Sequence, residues 1–148
     1  MKIYLDVCCL NRPFDDLSQE RIQFESDAVL AILARCYSET WTLVSSEAIE
    51  LELNRIQSAD KKKKIFDILS ISKERLPVSE QALLRSVDLR ENGIKPMDSL
   101  HLSVAEDFNI DILLTTDDSF LKTAKKMKLG IKVANPATWF MEVIQDEH

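Results

Sequence analysis

Glycine is nearly absent from this chain of 148 residues, which contains only Gly93 and Gly130. Each of the two follows a helical pattern, at the place where a C-terminal cap residue is expected. A glycine-rich phosphate loop, a dinucleotide-binding fingerprint and a Gly-x-Ser-x-Gly elbow all need more glycines than this. The sequence therefore argues against nucleotide-fuelled and serine-hydrolase chemistry.

Cysteines and long apolar runs are also scarce. The three cysteines, Cys8, Cys9 and Cys36, have no Cys-x-x-Cys spacing, and the chain has only two histidines, so we expect neither a disulfide framework nor a zinc site. No apolar run reaches about 18 residues, and Asp6 interrupts the apolar stretch at the N-terminus, so we expect no membrane span and no signal peptide. These features predict a protein of the reducing cytoplasm.

Basic residues are outnumbered, with 19 Lys and Arg against 25 Asp and Glu and a formal net charge of −6. A generic nucleic-acid binder is usually basic, but this objection weakens if several acids gather at one site and a metal ion neutralises them. The lysine runs at 61–64 and 122–128 are typical of solvated helix faces. The hydrophobic content of 45% and the length predict one folded domain over residues 1–148.

Strand and helix patterns alternate along the chain. Strand-like runs lie at 2–6, 41–46, 110–115 and 131–133, and helical spacing predicts helices at 16–37, 47–57, 59–70, 79–92, from 96 onward, at 120–128 and from 136 onward. Residues 7–16 are expected to form a loop, with Asp16 and Gln19 opening the first helix as a capping box. This order predicts an α/β sandwich around a mainly parallel sheet, with right-handed crossovers.

Two of the predicted strands run into aspartates. Asp6 follows Ile3-Tyr4-Leu5, and Asp117 follows the apolar run that begins at Ile110. A lone Asp in such a position is commonly a turn residue. The C-terminal ends of parallel strands share one edge of the sheet, where ligands bind, so two such aspartates predict two neighbouring carboxylates. Asp118 either binds a metal through water or caps the next helix.

Two further acids stand out in predicted helices. Glu52 falls in the middle of an apolar stripe, and a carboxylate there needs a partner. The simpler alternative is a salt bridge to an Arg or Lys at the edge of the core. Asp98 lies in a first helical turn, where the helix dipole alone favours an acid. His101 shares an apolar stripe and is interpreted as a core histidine with satisfied hydrogen bonds.

Together these four acids predict a metal site if they converge on one sheet edge. Carboxylates that lie within several Å repel one another and raise one another's pKa unless a cation is present. Hard oxygen donors favour Mg²⁺ or Mn²⁺ over zinc. A site of this kind is suited to metal-assisted phosphoryl chemistry.

At these positions the sequence resembles the PIN-domain ribonucleases, and among them the toxins of VapBC-type toxin–antitoxin pairs. Four stretches carry the resemblance, in the family's order: 3–6, 46–53, 98–102 and 113–120. With 133–136 they extend over nearly the whole chain. The resemblance implies a three-layer α/β/α sandwich with a mainly parallel central sheet. It also implies an Mg²⁺- or Mn²⁺-dependent endoribonuclease that cuts single-stranded or loop RNA.

The resemblance extends to individual residues and to partners. It implies four metal ligands: Asp6, Glu52, Asp98 and Asp117. It places Ser46 and Thr116 beside the metal or its waters. It further implies a homodimer and a small antitoxin that inserts a segment into the groove. Arg12 and Lys122, near the rim, are expected to hold RNA phosphates.

Residues 7–9 depart from the family pattern. Val7 stands where a small polar residue is usual, and Cys8 and Cys9 follow where a polar residue is common, which weakens the support of Asp6. A degenerate member that binds RNA or a partner without cutting is therefore one alternative. Another metal-dependent phosphohydrolase is a second, although the first strand lacks the Asp-x-Asp pair of haloacid-dehalogenase-type phosphatases. A receiver-type signalling domain fits less well, because Asp98 and Asp117 come late in the chain.

Overall fold

The structure is a computed structural model that describes residues 1–147. Its strands are β1 (Lys2–Leu5), β2 (Thr42–Ser46), β3 (Glu74–Leu76), β4 (Ile112–Leu114) and β5 (Lys132–Ala134). Its helices are α1 (Val7–Asn11), α2 (Glu20–Tyr37), α3 (Glu47–Leu53), α4 (Ala59–Leu69), α5 (Glu80–Glu91), α6 (Pro96–Asp107), α7 (Asp118–Lys125) and α8 (Pro136–Glu147). A 3₁₀ turn, Arg12–Phe14, follows α1.

The five strands form one parallel sheet in the order β3-β2-β1-β4-β5. β1 is the central strand: Tyr4 is opposite Val44 of β2 on one side and Leu113 of β4 on the other. Ile3, Tyr4 and Leu5 are fully buried, as a strand covered by helices on both faces requires. The C-termini of all five strands therefore lie on one edge of the sheet.

Helices cover both faces of the sheet, which confirms the predicted α/β/α sandwich. The chain crosses the sheet in one direction from β1 to β2 and in the other direction from β4 to β5. Since both crossovers are expected to be right-handed, the connecting helices α2 and α7 lie on opposite faces of the sheet. α8 packs against α2. Trp41, just before β2, joins this layer, with its ring 5.2 Å from that of Trp139 and 6.3 Å from that of Phe140.

The loop expected at 7–16 is wrong over residues 7–14, where α1 and the 3₁₀ turn lie. The cause is Asp6, whose side chain caps the turn that follows the strand and so allows a helix to begin at Val7. The helix expected to begin at Asp16 begins instead at Glu20. Asp16 accepts hydrogen bonds from the backbone and hydroxyl of Ser18 and so closes a tight turn.

The edge strand β3 was absent from the sequence-based prediction. Its residues Glu74 and Arg75 are polar, and only Leu76 is buried, so the segment lacks an apolar strand pattern. Arg75 forms two hydrogen bonds to Glu50 of α3, at 2.7 and 2.8 Å. Charged side chains are common on edge strands, where they discourage pairing with other chains.

The two glycines differ in what they do. Gly93 follows α5 with φ of 101°, as predicted for a C-terminal cap. The cap predicted at Gly130 is wrong, because α7 ends at Lys125 and not at about residue 128. The Gly130 amide instead donates to Oε2 of Glu106 at 2.9 Å. The predicted helix 47–57 is also shorter, since α3 ends at Leu53.

Candidate metal centre at the carboxyl edge of the sheet

Asp6 and Asp117 each follow a strand and begin a helix. Oδ1 of Asp6 accepts from the Cys9 amide at 3.0 Å and caps α1. Oδ1 of Asp117 accepts from the amides of Ser119 at 2.9 Å and Phe120 at 3.3 Å and caps α7. Neither cap uses the second oxygen, Oδ2. In each aspartate, therefore, backbone amides hold one carboxylate oxygen in place.

The other strands are also followed by capping side chains. Ser46, at the end of β2, accepts from the Ile49 amide at 3.0 Å and begins α3. Asn135, after β5, accepts from the Ala137 amide at 2.8 Å, and Ser79, after β3, accepts from the Ala82 amide at 3.0 Å. Helix N-termini thus gather at this edge, and the positive ends of their dipoles favour negative charge there.

Glu52 of α3 reaches the same edge and is held by His101 of α6. Nε2 of His101 lies 2.6 Å from Oε1 of Glu52. The Glu52 side chain is 29% exposed, so it lies at the margin of the core and not within it. Its partner is a histidine and not the Arg or Lys that we considered as the alternative. His101 itself is fully buried, which agrees with its interpretation as a satisfied core histidine.

The carboxyl of Asp98, in the first turn of α6, is influenced by the other three acids. Burial, together with the carboxylates of Asp6, Asp117 and Glu52, raises the pKa of Asp98 to about 6, against an opposing effect of His101. Burial likewise raises the pKa of Asp6, although hydrogen bonds from Thr115 and Cys9 lower it. Negative charge at this edge is therefore incompletely compensated by the protein.

Cys8 of α1 lies among the same four acids. Burial, together with the carboxylates of Asp6, Glu52, Asp98 and Asp117, raises the pKa of its thiol to about 12. The residue is nevertheless exposed at the surface. The negative charge of the four acids therefore extends to the start of α1.

The donor set fits a hard divalent cation, because it consists of carboxylate oxygens whose mutual repulsion a cation would relieve. Within residues 1–147, no three His, Cys, Asp or Glu side chains lie close enough together to hold a metal ion as they stand. The carboxylates that would hold Mg²⁺ or Mn²⁺ are those of Asp6, Glu52, Asp98 and Asp117.

Three basic side chains bear on the expected contacts with RNA. Nζ of Lys95 lies 3.8 Å from Oδ2 of Asp117. The guanidinium of Arg12 is paired with Glu25 at 2.8 Å and with Asp15 at 3.0 Å. Lys122 is exposed on α7.

Asp118 is held by a basic partner. Its two oxygens accept from Nη1 and Nη2 of Arg21 at 2.7 and 2.8 Å, and this pairing lowers the pKa of Asp118. Arg21 also donates to the carbonyl oxygen of Thr116 at 3.1 Å. Thr116 is buried, and the hydroxyl that reaches Asp6 is that of Thr115.

Sequence reasoning singled out the four acids and interpreted His101 as a core residue, but it missed the hydrogen bonds that join His101 to Glu52 and to Tyr4. Tyr4 lies two residues before Asp6 on β1, and His101 lies three residues after Asp98 on α6. These spacings put each polar residue on the same face as an expected ligand, which is the signal that was available. Lys95 precedes Pro96 and gave no such signal.

The fold and the site together define an α/β/α protein with a parallel sheet and an acidic carboxyl edge. The family model of the PIN domain matches residues 3–126, and the chain belongs to the PIN domain family, a family of nucleases. No curated protein matches the chain significantly.

Three solved structures share the fold. A FitAcB structure from Neisseria gonorrhoeae is 19% identical, with a TM-score of 0.58 over 90% of this chain and 97% of the other. VapBC2 from Rickettsia felis, bound to a DNA fragment from its promoter, is 17% identical, with a TM-score of 0.61 over 91% and 98%. VapBC-1 from nontypeable Haemophilus influenzae is 17% identical, with a TM-score of 0.57 over 92% and 98%.

None of the helices within residues 1–147 has the length and apolar character that crossing a membrane requires.

Proposed function

We propose that this chain is an Mg²⁺- or Mn²⁺-dependent endoribonuclease and the toxin of a toxin–antitoxin pair. The observation that carries the proposal is the carboxyl of Asp98, whose pKa is raised to about 6 first by burial and then by the carboxylates of Asp6, Asp117 and Glu52. Such an arrangement destabilises the metal-free site and is relieved by a divalent cation. Membership of the PIN domain family supports the same activity.

In this proposal each acid contributes a carboxylate oxygen to the cation. The caps on α1 and α7 fix Oδ1 of Asp6 and of Asp117, so that Oδ2 of each is presented from a rigid helix start. When bound, the cation supplies activation of the attacking water and stabilisation of the leaving 3′ oxygen. Lys95 at the rim holds an RNA phosphate. No side chain is assigned as a general base.

A degenerate module that binds without cutting is the second candidate. Two observations favour it: Val7, Cys8 and Cys9 replace the expected polar residues, and no three potential ligands within residues 1–147 are grouped at metal-binding distance. Such a module predicts binding of RNA or of a partner with no cleavage. The two candidates share a fold and differ in one measurable activity.

The proposed partners are single-stranded RNA, a small antitoxin and a second copy of this chain, within the cytoplasm. A groove of about 740 Å³ lies beside the acidic edge, between α2, α7, α8 and β5. Phe24, which is 60% exposed, and Leu121 give it an apolar wall suited to an inserted peptide segment. Light scattering tests the homodimer: a mass of twice 17.0 kDa is expected, and a mass of 17.0 kDa contradicts it.

The cleavage test compares the wild-type protein with Asp98→Asn on a fluorescent RNA hairpin that has an unpaired loop, in Mn²⁺, in Mg²⁺ and in a chelator. We expect cleavage by the wild-type protein only with the metals, and loss of cleavage in the variant. Asp67→Asn is the matched control, since Asp67 is an exposed aspartate of α4 and the variant carries the same change of charge. The control should cut as the wild type does.

RNA binding measured on the same samples separates the two candidates. RNA binding without cleavage in the wild type supports the degenerate module. Equal cleavage by the wild type and Asp98→Asn contradicts the assigned site, and cleavage in chelator contradicts metal dependence.

A further inference from the structure

A continuous chain of hydrogen bonds runs through the protein interior to Glu52. The Tyr4 hydroxyl lies 2.7 Å from Oγ of Ser46 and 2.6 Å from Nδ1 of His101. Nε2 of His101 lies 2.6 Å from Oε1 of Glu52. Ser46, Tyr4 and His101 are fully buried, whereas the Glu52 side chain is partly exposed. The chain therefore connects the core to a carboxylate at the surface.

The donors and acceptors of this chain define its direction. Oγ of Ser46 already accepts from the Ile49 amide, so its hydroxyl hydrogen is free to donate to Tyr4. Tyr4 then donates its only hydrogen to Nδ1 of His101, and Nε2–H of His101 donates to Glu52. If the donor and acceptor roles were reversed, the hydroxyl hydrogen of Ser46 would have no acceptor among the hydrogen bonds of residues 1–147.

Each member of the chain is tied to the element that carries an expected metal ligand. Tyr4 is two residues before Asp6 on β1, so both side chains leave the same face of the strand. His101 is three residues after Asp98 on α6, so the two lie one helical turn apart. Ser46 caps α3, the helix of Glu52. The chain thus links the three elements that bring Asp6, Asp98 and Glu52 together.

Glu52 needs such a partner more than the aspartates do. A Glu side chain has one more rotatable bond than Asp, and a partly exposed Glu loses rotamer freedom when it binds a ligand. Asp6 and Asp117 are fixed by backbone caps. Within residues 1–147, the hydrogen bond that the Glu52 side chain accepts comes from His101. Holding Oε1 through this bond leaves Oε2 for a cation.

We propose that His101, held in its Nε2–H tautomer by Tyr4 and Ser46, is a positioning residue that orients the Glu52 carboxylate toward the acidic edge for metal binding. This inference rests on the proposed function, because it assigns a role within the same metal site. It adds three residues, Ser46, Tyr4 and His101, that act on the site through Glu52. Mutation of a residue that hydrogen-bonds to a metal ligand commonly lowers metal affinity by about 10- to 100-fold.

The experiment measures Mn²⁺ binding by titration calorimetry in the absence of RNA. His101→Leu removes the donor to Glu52, and we expect Mn²⁺ affinity to fall by about 10- to 100-fold. His101→Gln is the matched variant, because its amide N–H can donate to Glu52, and it should restore most of the affinity. Thermal unfolding of both variants without metal identifies any general loss of structure.

The wild-type protein gives an independent readout that needs no core variant. Nitrogen-15 NMR of the imidazole should show a protonated Nε2 and an unprotonated Nδ1 for His101. The opposite tautomer overturns the proposal, as does Mn²⁺ affinity in a folded His101→Leu that equals the wild-type value. Equal losses in His101→Leu and His101→Gln also overturn it, since a merely structural role predicts that result.

Asp98→Asn separates this proposal from the proposed function. If the wild type binds Mn²⁺ and Asp98→Asn does not, the metal site stands and the two His101 variants decide the positioning role. If the wild type itself binds no Mn²⁺, the proposed function fails, and the positioning role fails with it.

Discussion

The carboxyl of Asp98 should make the metal-free protein less stable as the pH rises. Burial, together with the neighbouring carboxylates, raises its pKa to about 6, above its value of about 3.9 in the unfolded chain. The protonated form is therefore favoured by folding, and this stability is present below about pH 4 and is lost as the pH passes through about 6. Asp6 acts in the same direction, because burial raises its pKa too.

The prediction is that Asp98→Asn is more stable than the wild type at pH 7 by roughly 1–2 kcal/mol, a range discounted for partial exposure of the group. Urea unfolding in chelator at pH 4 and pH 7 measures this difference. The advantage of the variant should shrink toward pH 4. A variant that is less stable than the wild type at pH 7 contradicts the repulsion among the acids.

Glu25 carries a second prediction at this scale. It is a buried carboxylate of α2, and it accepts hydrogen bonds from Arg12 at 2.9 Å, Arg21 at 3.2 Å and Asn135 at 2.6 Å. Removing the charge of Glu25 leaves the positive charges of its arginine partners uncompensated. We expect Glu25→Gln to lower the free energy of unfolding by about 2 to 4 kcal/mol in urea.

Glu20→Gln is the control for this change, since Glu20 is exposed on the same helix. A surface substitution of this kind usually changes stability by no more than about 0.5 kcal/mol. Equal effects of the two variants would show that the buried network contributes nothing beyond a change of charge.

Single residues divide clearly into those that the sequence predicts and those that it does not. Asp6 and Asp117 could be predicted, because a carboxylate after an apolar strand is conspicuous and the sheet edge gives both the same location. The pairing of Arg21 with Asp118 could not, because it joins side chains 97 positions apart and depends on where two helices lie in space. The same holds for Lys95 and Asp117.

Helix ends give a prediction at the scale of elements. Gly93 has a φ of 101°, and an added Cβ would meet Thr123 at 3.6 Å, an ordinary contact. The cost of Gly93→Ala is therefore the strained backbone, about 1 to 2 kcal/mol. Gly130→Ala, at a glycine without a positive φ, should cost less than about 0.5 kcal/mol. Urea unfolding of both variants tests the difference, and equal costs would contradict it.

Elements with a strong apolar pattern were predicted well, and those defined by polar atoms were not. The end of α2, both ends of α5 and the start of α6 lie close to the prediction because their periodicity or their caps mark them. β3 and α1 were missed because one is a charged edge strand and the other depends on a cap from Asp6.

The whole molecule should respond to metal through its stability. A ligand that binds only the folded state stabilises it by about 2.7 kcal/mol at a concentration one hundred times Kd. For a chain of this length that is roughly 5 to 10 °C in Tm. We expect this rise with Mn²⁺ in the wild type and its loss in Asp98→Asn, measured by differential scanning calorimetry. An equal rise in both proteins would place the bound metal elsewhere.

The capping role of two acids has a consequence for judging which relatives of this protein are active. Asp6 and Asp117 begin helices, so a descendant that has lost catalysis still needs Asp, Asn or Ser there to fold. Their retention is therefore poor evidence of activity. Glu52 and Asp98 cap no helix. The Asp98 carboxylate destabilises the metal-free protein at neutral pH, so an inactive protein becomes more stable when Asp98 is replaced. Selection for stability alone would replace Asp98 before Asp6 or Asp117. Retention of Asp98 in a relative is therefore better evidence of activity than retention of the two capping aspartates.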